Sequence, residues 1–289
     1  MGLDIAVIVS SFERPWHLER CLASLEAQVG VEGRFEAVVA DDGSQDGTLK
    51  LVTRFARQAS FPLTFTTHEH LGFRLSRCRN EGVAASEAPY LLFTDGDCVL
   101  PPDHLFVHLD ARRPGTVVGS DCVRLDAAAS RLVDADCIRE GRVERLVPGR
   151  EMRRILGKAV RAKAYQWLGL TMLPRLSGNN IAVWRHDFLR VNGFDERFVG
   201  WGFEDRDFQD RLERIGVRTR SILWRTAPIH LWHPPASSFA RNGVGTANLA
   251  IFRSDDRPPY CADGFVKSGD AHEVIPIWMR QGHARRRAA

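Results

Sequence analysis

Hydrophobic and polar positions along the first hundred residues alternate between two periods. "IAVIVSS" (5–11) is an unbroken apolar run, the pattern of a strand covered on both faces. "RPWHLERCLASLEAQ" follows, with Trp16, Leu18, Cys21, Leu22 and Leu25 close to a helical stripe. "FEAVVADDGS" predicts a second strand that ends in acids. "DGTLKLVTRFARQA" predicts a helix with Leu49, Val52, Phe55 and Ala56 on one side and Asp46 as its cap. "LTFTTH" reads as a third strand, "LSRCRNEGVAAS" as a third helix and "PYLLFTDGDCVL" as a fourth strand. This β-α-β-α-β-α-β rhythm predicts an α/β fold: a mostly parallel, Rossmann-like central sheet with helices on both faces. Ligands in such sheets bind beyond the carboxyl ends of the strands. The polar clusters "SSFERP", "DDGSQDG", "HEHLGFR" and "TDGD" all fall at that rim.

The second half is less regular. "GTVVGSDCVRL" reads as one more strand, and Arg139 to Leu170 as a basic, helix-like stretch. "SGNNIAVWRHDFLRVNGFDERFVGWGFEDRDFQDRLERIG" is dense in glycine, acid and aromatic residues before it turns helical. "VRTRSILWRTAPIHLWHPP" holds another strand and a histidine pair. With no internal repeat and no low-complexity linker, the expectation is a single compact domain. Residues 1–100 form its nucleotide-type half, and residues 101–289 its acceptor-type half with a basic tail.

Composition narrows the classes. The 289 residues carry a net charge of +4, too little to suggest a nucleic-acid partner. The six cysteines are scattered without a CxxC pair, which suits reduced cytoplasmic thiols better than a disulfide frame or a zinc site. No apolar run approaches the length of a membrane span, and the N-terminus lacks the pattern of a signal peptide.

The chemistry starts with "LLFTDGDCVL". Asp95 and Asp97 flank Gly96 at the end of an apolar strand. Asp-Gly is common turn chemistry, but two like charges there also invite a cation. Together, "VIVSSFERPWHLERCLASL", "VVADDGSQDGT", "RCRNEGVAAS" and the acid-glycine-acid "DGD" resemble the family 2 glycosyltransferases of GT-A fold. "NGFDERFVGWGFEDRDFQDRLERIG" resembles the catalytic segment shared by β-1,4-galactosyltransferases and bacterial polysaccharide-polymerising transferases. The resemblance covers roughly residues 3–100 and 175–235. It implies metal-dependent transfer of a sugar, usually with inversion, from a nucleotide-diphosphate donor such as a UDP-sugar to a saccharide or glycolipid acceptor.

The resemblance and the residue chemistry distribute roles. Asp97 binds Mn²⁺ or Mg²⁺, and Asp95 holds the ribose or the metal through water; histidine among the ligands favours Mn²⁺. Strand alternation puts His230 and His233 on opposite faces, so one of them completes the metal set, as the resemblance also implies; His230 is preferred, and the spacing leaves His233 as the alternative. Asp42 accepts from the base or ribose. Ser10, Phe12 and Glu13 touch the nucleoside, and Asn80 and Gly96 belong to the donor side. Arg14, Arg74 and Arg77 are diphosphate candidates, Arg77 ahead because it shares a helix with Asn80. Trp201 and Gly202 offer an indole face and close backbone approach to a sugar. Asn179 and Glu204 grip the acceptor, and Asp205 is the general base. Phe203 stands where the galactosyltransferases have glycine. The basic positions from Arg150 to Arg161, with Arg285, Arg286 and Arg287, read either as an ordinary packed helix and tail or as a contact with an anionic membrane. Two rivals remain. A sugar-nucleotide pyrophosphorylase would usually carry a Gly-rich loop with lysine after the first strand, and "SSFERP" has neither. The other is a non-catalytic carbohydrate-binding protein of the same fold.

Overall fold

The computed structural model describes residues 2–170, 174–234, 247–254 and 257–267. Its elements run β1 (Ile5–Ser11), α1 (Pro15–Glu26), β2 (Phe35–Asp41), α2 (Thr48–Ala56), β3 (Leu63–Thr67), α3 (Leu75–Ala84), β4 (Tyr90–Asp95) and β5 (Cys98–Val99). Then come α4 (His104–Ala111), β6 (Thr116–Gly119), β7 (Val123–Arg124), α5 (Ala127–Arg131), α6 (Ala135–Arg139) and α7 (Gly149–Trp167). Last are β8 (Ile181–Trp184), α8 (Arg185–Arg190), α9 (Glu204–Arg214), β9 (Arg218–Ser221), β10 (Ile229–His230) and α10 (Ala247–Arg253).

Seven strands form one sheet in the order β3-β2-β1-β4-β8-β6-β9. The first four are parallel, β8 is antiparallel to both neighbours, and β6 and β9 are parallel to each other. The alternation of β1 decides the layers. Ile5, Val7 and Val9 pack under α1, α2 and α4 with Leu18, Leu22, Val52 and Leu105. Ala6 and Ile8 pack on the other face with Val83 of α3 and the ring cluster Phe188, Phe194 and Phe208. Gly82 allows α3 to lie this close, since a Cβ there would come within 2.4 Å of Ile8. Phe194 stacks on Phe208 with centroids 4.2 Å apart, tying the "NGF" turn to α9. Asp46 acts one residue ahead of the helix cap, its Oδ1 accepting from the Thr48 amide at 2.9 Å.

The second half departs from the pattern-based reading in four places. "GTVVGSDCVRL" is two strands in two sheets. β6 joins the main sheet, and β7 joins a three-stranded sheet, β5-β10-β7. Gly119 marks the break: its Cα approaches the Asn180 carbonyl so closely that a Cβ would lie 2.1 Å from it. The stretch 218–230 likewise divides into β9 and β10, again in different sheets. β8, buried between β4 and β6, has no counterpart in the sequence reading. Arg139 to Leu170 is not one helix. Gly141, in the left-handed region at φ 63°, and Pro148 separate α6, a 3₁₀ turn at Val143–Leu146 and α7.

Candidate active site

A cleft of about 630 Å³ opens over the carboxyl ends of β1, β2 and β4 and is closed on its far side by the small sheet and the start of α9. β1 and β4 lie where the strand order reverses, the usual ligand crevice of such sheets. Register sets the rim: Ser10 pairs with Asp95, and Ser11 with Asp41. The Gly96 amide donates to the Ser10 carbonyl at 2.8 Å, and a Cβ on Gly96 would sit 3.0 Å from that oxygen. The two acids ending β2 have different partners. Asp41 accepts from the Ser44 amide and hydroxyl and from Thr67 Oγ1, which shapes the loop. Asp42 is buried and lines the cleft.

Asp97, His230 and His233 converge, each offering one ligand atom, with these atoms within 4.8 Å of one another. His233 Nε2 lies 3.0 Å from Asp97 Oδ2, and His230 Nε2 lies 3.6 Å from Oδ1. The expectation that only one histidine reaches the site is corrected. β10 is two residues long, so strand alternation stops at His230, and the irregular chain after it brings His233 to the same carboxylate. Arg14 Nη1 donates to Asp97 Oδ2 at 3.1 Å. Burial works to raise the Asp97 pKa, but His233, His230 and Arg14 outweigh it and hold the carboxyl ionised far below the usual range. Burial lowers His230, while the Asp97 hydrogen bond outweighs burial and raises His233. One carboxylate with two imidazoles, and Asp95 close by, is a donor set that fits a divalent ion and suits Mn²⁺ better than Mg²⁺.

Across the cleft, α9 begins with Glu204, Asp205 and Asp207 at its positive end. Asp205 is held by backbone: the Gly178 amide donates to Oδ2 at 3.0 Å and the Arg206 amide to Oδ1 at 2.7 Å. Glu204 is buried, and among the described residues its Oε2 has no hydrogen-bond partner. Burial and the Asp205 charge push its carboxyl up to about 7. Phe203 caps α9 at φ 74°, a conformation that glycine adopts without strain, and its ring packs on Phe252 of α10 at 5.3 Å. Trp201, Gly202 and Asn179 line the same wall.

The residue that sequence reasoning missed is Arg79. It is 1 % exposed and spans the two sides: Nη2 is 3.5 Å from Asp95 Oδ1 and Nη1 is 3.5 Å from Glu204 Oε1, while Nη2 also donates to the Gly178 carbonyl at 2.9 Å. Burial raises Asp95 to about 6 despite this arginine, with the Asp97 charge adding to the rise. Its signal was its place on α3, one turn past Leu75 and beside Asn80, but nothing in the sequence distinguishes it from Arg77.

Ser10, Phe12, Asp42, Asp95, Gly96, Asp97, His230 and His233 line the cleft together with Asn179, Trp201, Gly202, Glu204 and Asp205. Three expected donor residues do not. Glu13 is exposed, and its amide donates to Ser44 Oγ at 2.8 Å. Asn80 is buried in a structural staple, donating to the Phe194 carbonyl and Glu196 and accepting from the Phe194 amide. Arg77 turns away and donates to Glu81 at 2.7 Å. Of the three diphosphate candidates only Arg14 lines the cleft; the Arg74 side chain bonds the Leu71 carbonyl. Arg285, Arg286 and Arg287 lie outside the described residues.

Comparison with known proteins agrees with this architecture. The family model "Glycosyl transferase family 2" matches residues 6–125, and that for the "N-terminal domain of galactosyltransferase" matches residues 160–233. Validoxylamine A glucosyltransferase of Streptomyces hygroscopicus subsp. limoneus is 29% identical over 233 residues, covering 74% of this chain and 48% of that protein. Chondroitin synthase of Escherichia coli is 24% identical over 273 residues, covering 89% of this chain and 38% of that one. The chain thus spans half or less of the length of these relatives. Among solved structures, a mannosyltransferase of Pyrobaculum calidifontis in complex with GDP-Man and Mn2+ superposes with a TM-score of 0.55 at 18% identity, covering 86% of this chain and 67% of that one. S. aureus TarS 1-349 in complex with UDP gives 0.56 at 16%, covering 83% and 63%. These two share the fold. Its sheet order, its acid-glycine-acid strand end, the start of α9 and the two family matches identify the chain as a member of the family 2 glycosyltransferases, with the GT-A fold.

Proposed function

We propose that the chain is a divalent-metal-dependent, inverting glycosyltransferase. It takes a sugar from a nucleotide-diphosphate donor, a UDP-sugar for preference, to a hydroxyl of a saccharide or lipid-linked acceptor in bacterial surface polysaccharide synthesis. One observation carries this reading: Asp97, His230 and His233 face Glu204 and Asp205 across a single cleft. Residues 1–100 hold the donor and residues from 101 onward the acceptor. Asp42 accepts from the base or ribose, and Phe12 supplies an apolar surface. Asp97 and the two histidines, with Asp95, would hold the ion, and Arg14 stands ready for the diphosphate. When bound, the ion neutralises charge on the departing diphosphate. Trp201 and Gly202 seat the acceptor sugar. Asp205 removes the proton from its hydroxyl, and that oxygen attacks the anomeric carbon from the face opposite the leaving group. An α-linked donor gives a β-glycoside. A second reading assigns the base to Glu204, whose Oε2 has no hydrogen-bond partner among the described residues and whose carboxyl, pushed up to about 7, suits proton removal.

The six cysteines are free and buried, which suits a reducing cytoplasm. Among the described residues no helix is long and apolar enough to cross a membrane. The exposed side of α7 supports peripheral contact with an anionic bilayer.

Donor hydrolysis tests the core of the proposal. With Mn²⁺ present, the chain should release nucleotide from one member of a panel of nucleotide sugars. EDTA and Asp97→Ala should both abolish release and metal-dependent nucleotide binding, with the thermal unfolding transition retained. Full activity in EDTA would sink the metal assignment.

A further inference from the structure

His68 follows β3 and is enclosed by Asp42, the residue after β2, and by Glu81, Arg77 and Cys78 from α3. Its side chain is 5% exposed, and each ring nitrogen meets a carboxylate: Nε2 lies 2.8 Å from Asp42 Oδ1, and Nδ1 lies 2.7 Å from Glu81 Oε2. A carboxylate only accepts, so contacts on both nitrogens require both ring N–H groups and hence the imidazolium. The chain of charge alternates further, since Arg77 Nε donates to the other oxygen of Glu81 at 2.7 Å. Asp42 Oδ2 receives the Arg74 amide at 3.3 Å and stands 3.3 Å from His70 Nδ1. The His70 ring stacks on Phe12 at 4.2 Å. Asp42 is therefore clamped in one rotamer on the wall of the cleft.

We propose that His68 is a positioning residue for the donor: it fixes Asp42 as an oriented, acceptor-only carboxylate, and so selects nucleotides whose base carries an imide N–H. This rests on the reading that Asp42 meets the base. Uracil and thymine present N3–H, and guanine presents N1–H. Cytosine and adenine present a lone pair at the corresponding ring nitrogen, which an ionised carboxylate repels and a protonated one would welcome. The His68 ring sits between the two carboxylates and meets one oxygen of each. In the ring itself burial opposes the charge, but the hydrogen bonds it donates to Asp42 and Glu81 prevail and raise the pKa to about 9.

The test is calorimetric binding of UDP, GDP, dTDP, CDP and ADP, with Mn²⁺, to the full chain and to His68→Gln and Asp42→Asn. In the wild type an imide nucleotide should bind most tightly. In His68→Gln its affinity should fall about tenfold, the scale of one charge-assisted hydrogen bond, while CDP and ADP hold steady. Preference of the wild type for CDP or ADP overturns the proposal. So does an equal loss for all five in His68→Gln, which marks a role in the fold alone, or no loss at all. If Asp42→Asn abolishes discrimination and His68→Gln does not, Asp42 still reads the base and His68 is dismissed. If Asp42→Asn changes nothing, or no nucleotide binds, the donor-site reading itself fails. A measurement on the unaltered chain guards against misfolded variants. The ¹⁵N shifts of His68 should report a doubly protonated ring at about pH 8, perturbed by the imide nucleotide; a neutral ring there overturns the proposal.

Discussion

At the scale of the residue, the neighbouring acids at the start of α9 divide orientation from basicity. Asp205 has both oxygens engaged by backbone amides, which fixes its direction. Among the described residues Glu204 keeps one oxygen without a hydrogen-bond partner, and burial with the Asp205 charge pushes its carboxyl up to about 7. Asp205→Asn preserves shape and removes the basic oxygen, so turnover should fall by about 10²–10⁴ while donor affinity stays. The pH–rate profile decides between the acids. Were Glu204 the base, the rate would climb with pH through about 7, because only its deprotonated form accepts a proton, and the limb would vanish in Glu204→Gln. Near-normal turnover of Asp205→Asn, with Glu204→Gln inactive, would move the base. "DGD" and "WGFED" were legible because their chemistry is local to a strand end and a helix start. Arg79 was not, because its partners Asp95, Gly178 and Glu204 come from two distant segments. The partner of Arg77 was legible in principle, since Glu81 lies at i+4.

At the scale of the element, α7 shows what a periodic pattern leaves open. The stripe Met152, Ile155, Leu156, Ala159 and Val160 predicts one buried face, yet only Ile155 and Ala159 enter the core of the small sheet. Met152, Leu156 and Val160 stand 47%, 63% and 61% exposed, and Trp167 at the end of the helix 86%. Stripe width is readable from sequence, but the angle at which a neighbour covers it is not. The basic face also divides: Arg154 and Lys158 are spent on Asp121 and Glu151, whereas Arg150, Arg153 and Arg161 point to solvent. An apolar ridge flanked by cations is the chemistry of an interfacial helix. The chain should co-sediment with anionic liposomes, and salt should release only part of it, because each arginine adds about 1 kcal/mol that salt screens and the ridge adds burial that it does not. Leu156→Ser with Val160→Ser should remove the salt-resistant part, and Gln at Arg150, Arg153 and Arg161 the salt-sensitive part. Indifference of the wild type to such liposomes at low salt would leave the ridge as a wall of the acceptor side.

At the scale of the whole molecule, buried titratable groups of opposite sign set the response of stability to pH. His104 and His108 are fully buried behind the sheet, each facing Asn180 Oδ1, at 3.1 and 2.8 Å. Since that oxygen only accepts, both Nε2 atoms carry protons, and His104 Nδ1 takes the Thr226 hydroxyl at 2.8 Å. Burial lowers His104 from 6.5 to about 4, and it lowers His108 as well. A depressed histidine contributes stability that is present above its unfolded pKa and lost as pH falls through the folded one, here between 6.5 and about 4. Glu204, raised from 4.5 to about 7, works against this, favouring the fold as pH falls across that range. His68, raised to about 9, contributes fully below 6.5 and loses its contribution as pH rises past about 9. The wild-type curve alone therefore mixes the signs, and a difference isolates the histidine. His104→Gln removes one titration and leaves the others, so its urea-unfolding free energy should lie furthest below wild type near neutrality. The gap should close by about 2–3 kcal/mol between pH 7.5 and pH 4.5. A gap that stays constant over that range would show that His104 does not gain its proton on unfolding, and that the acid sensitivity of the fold resides elsewhere.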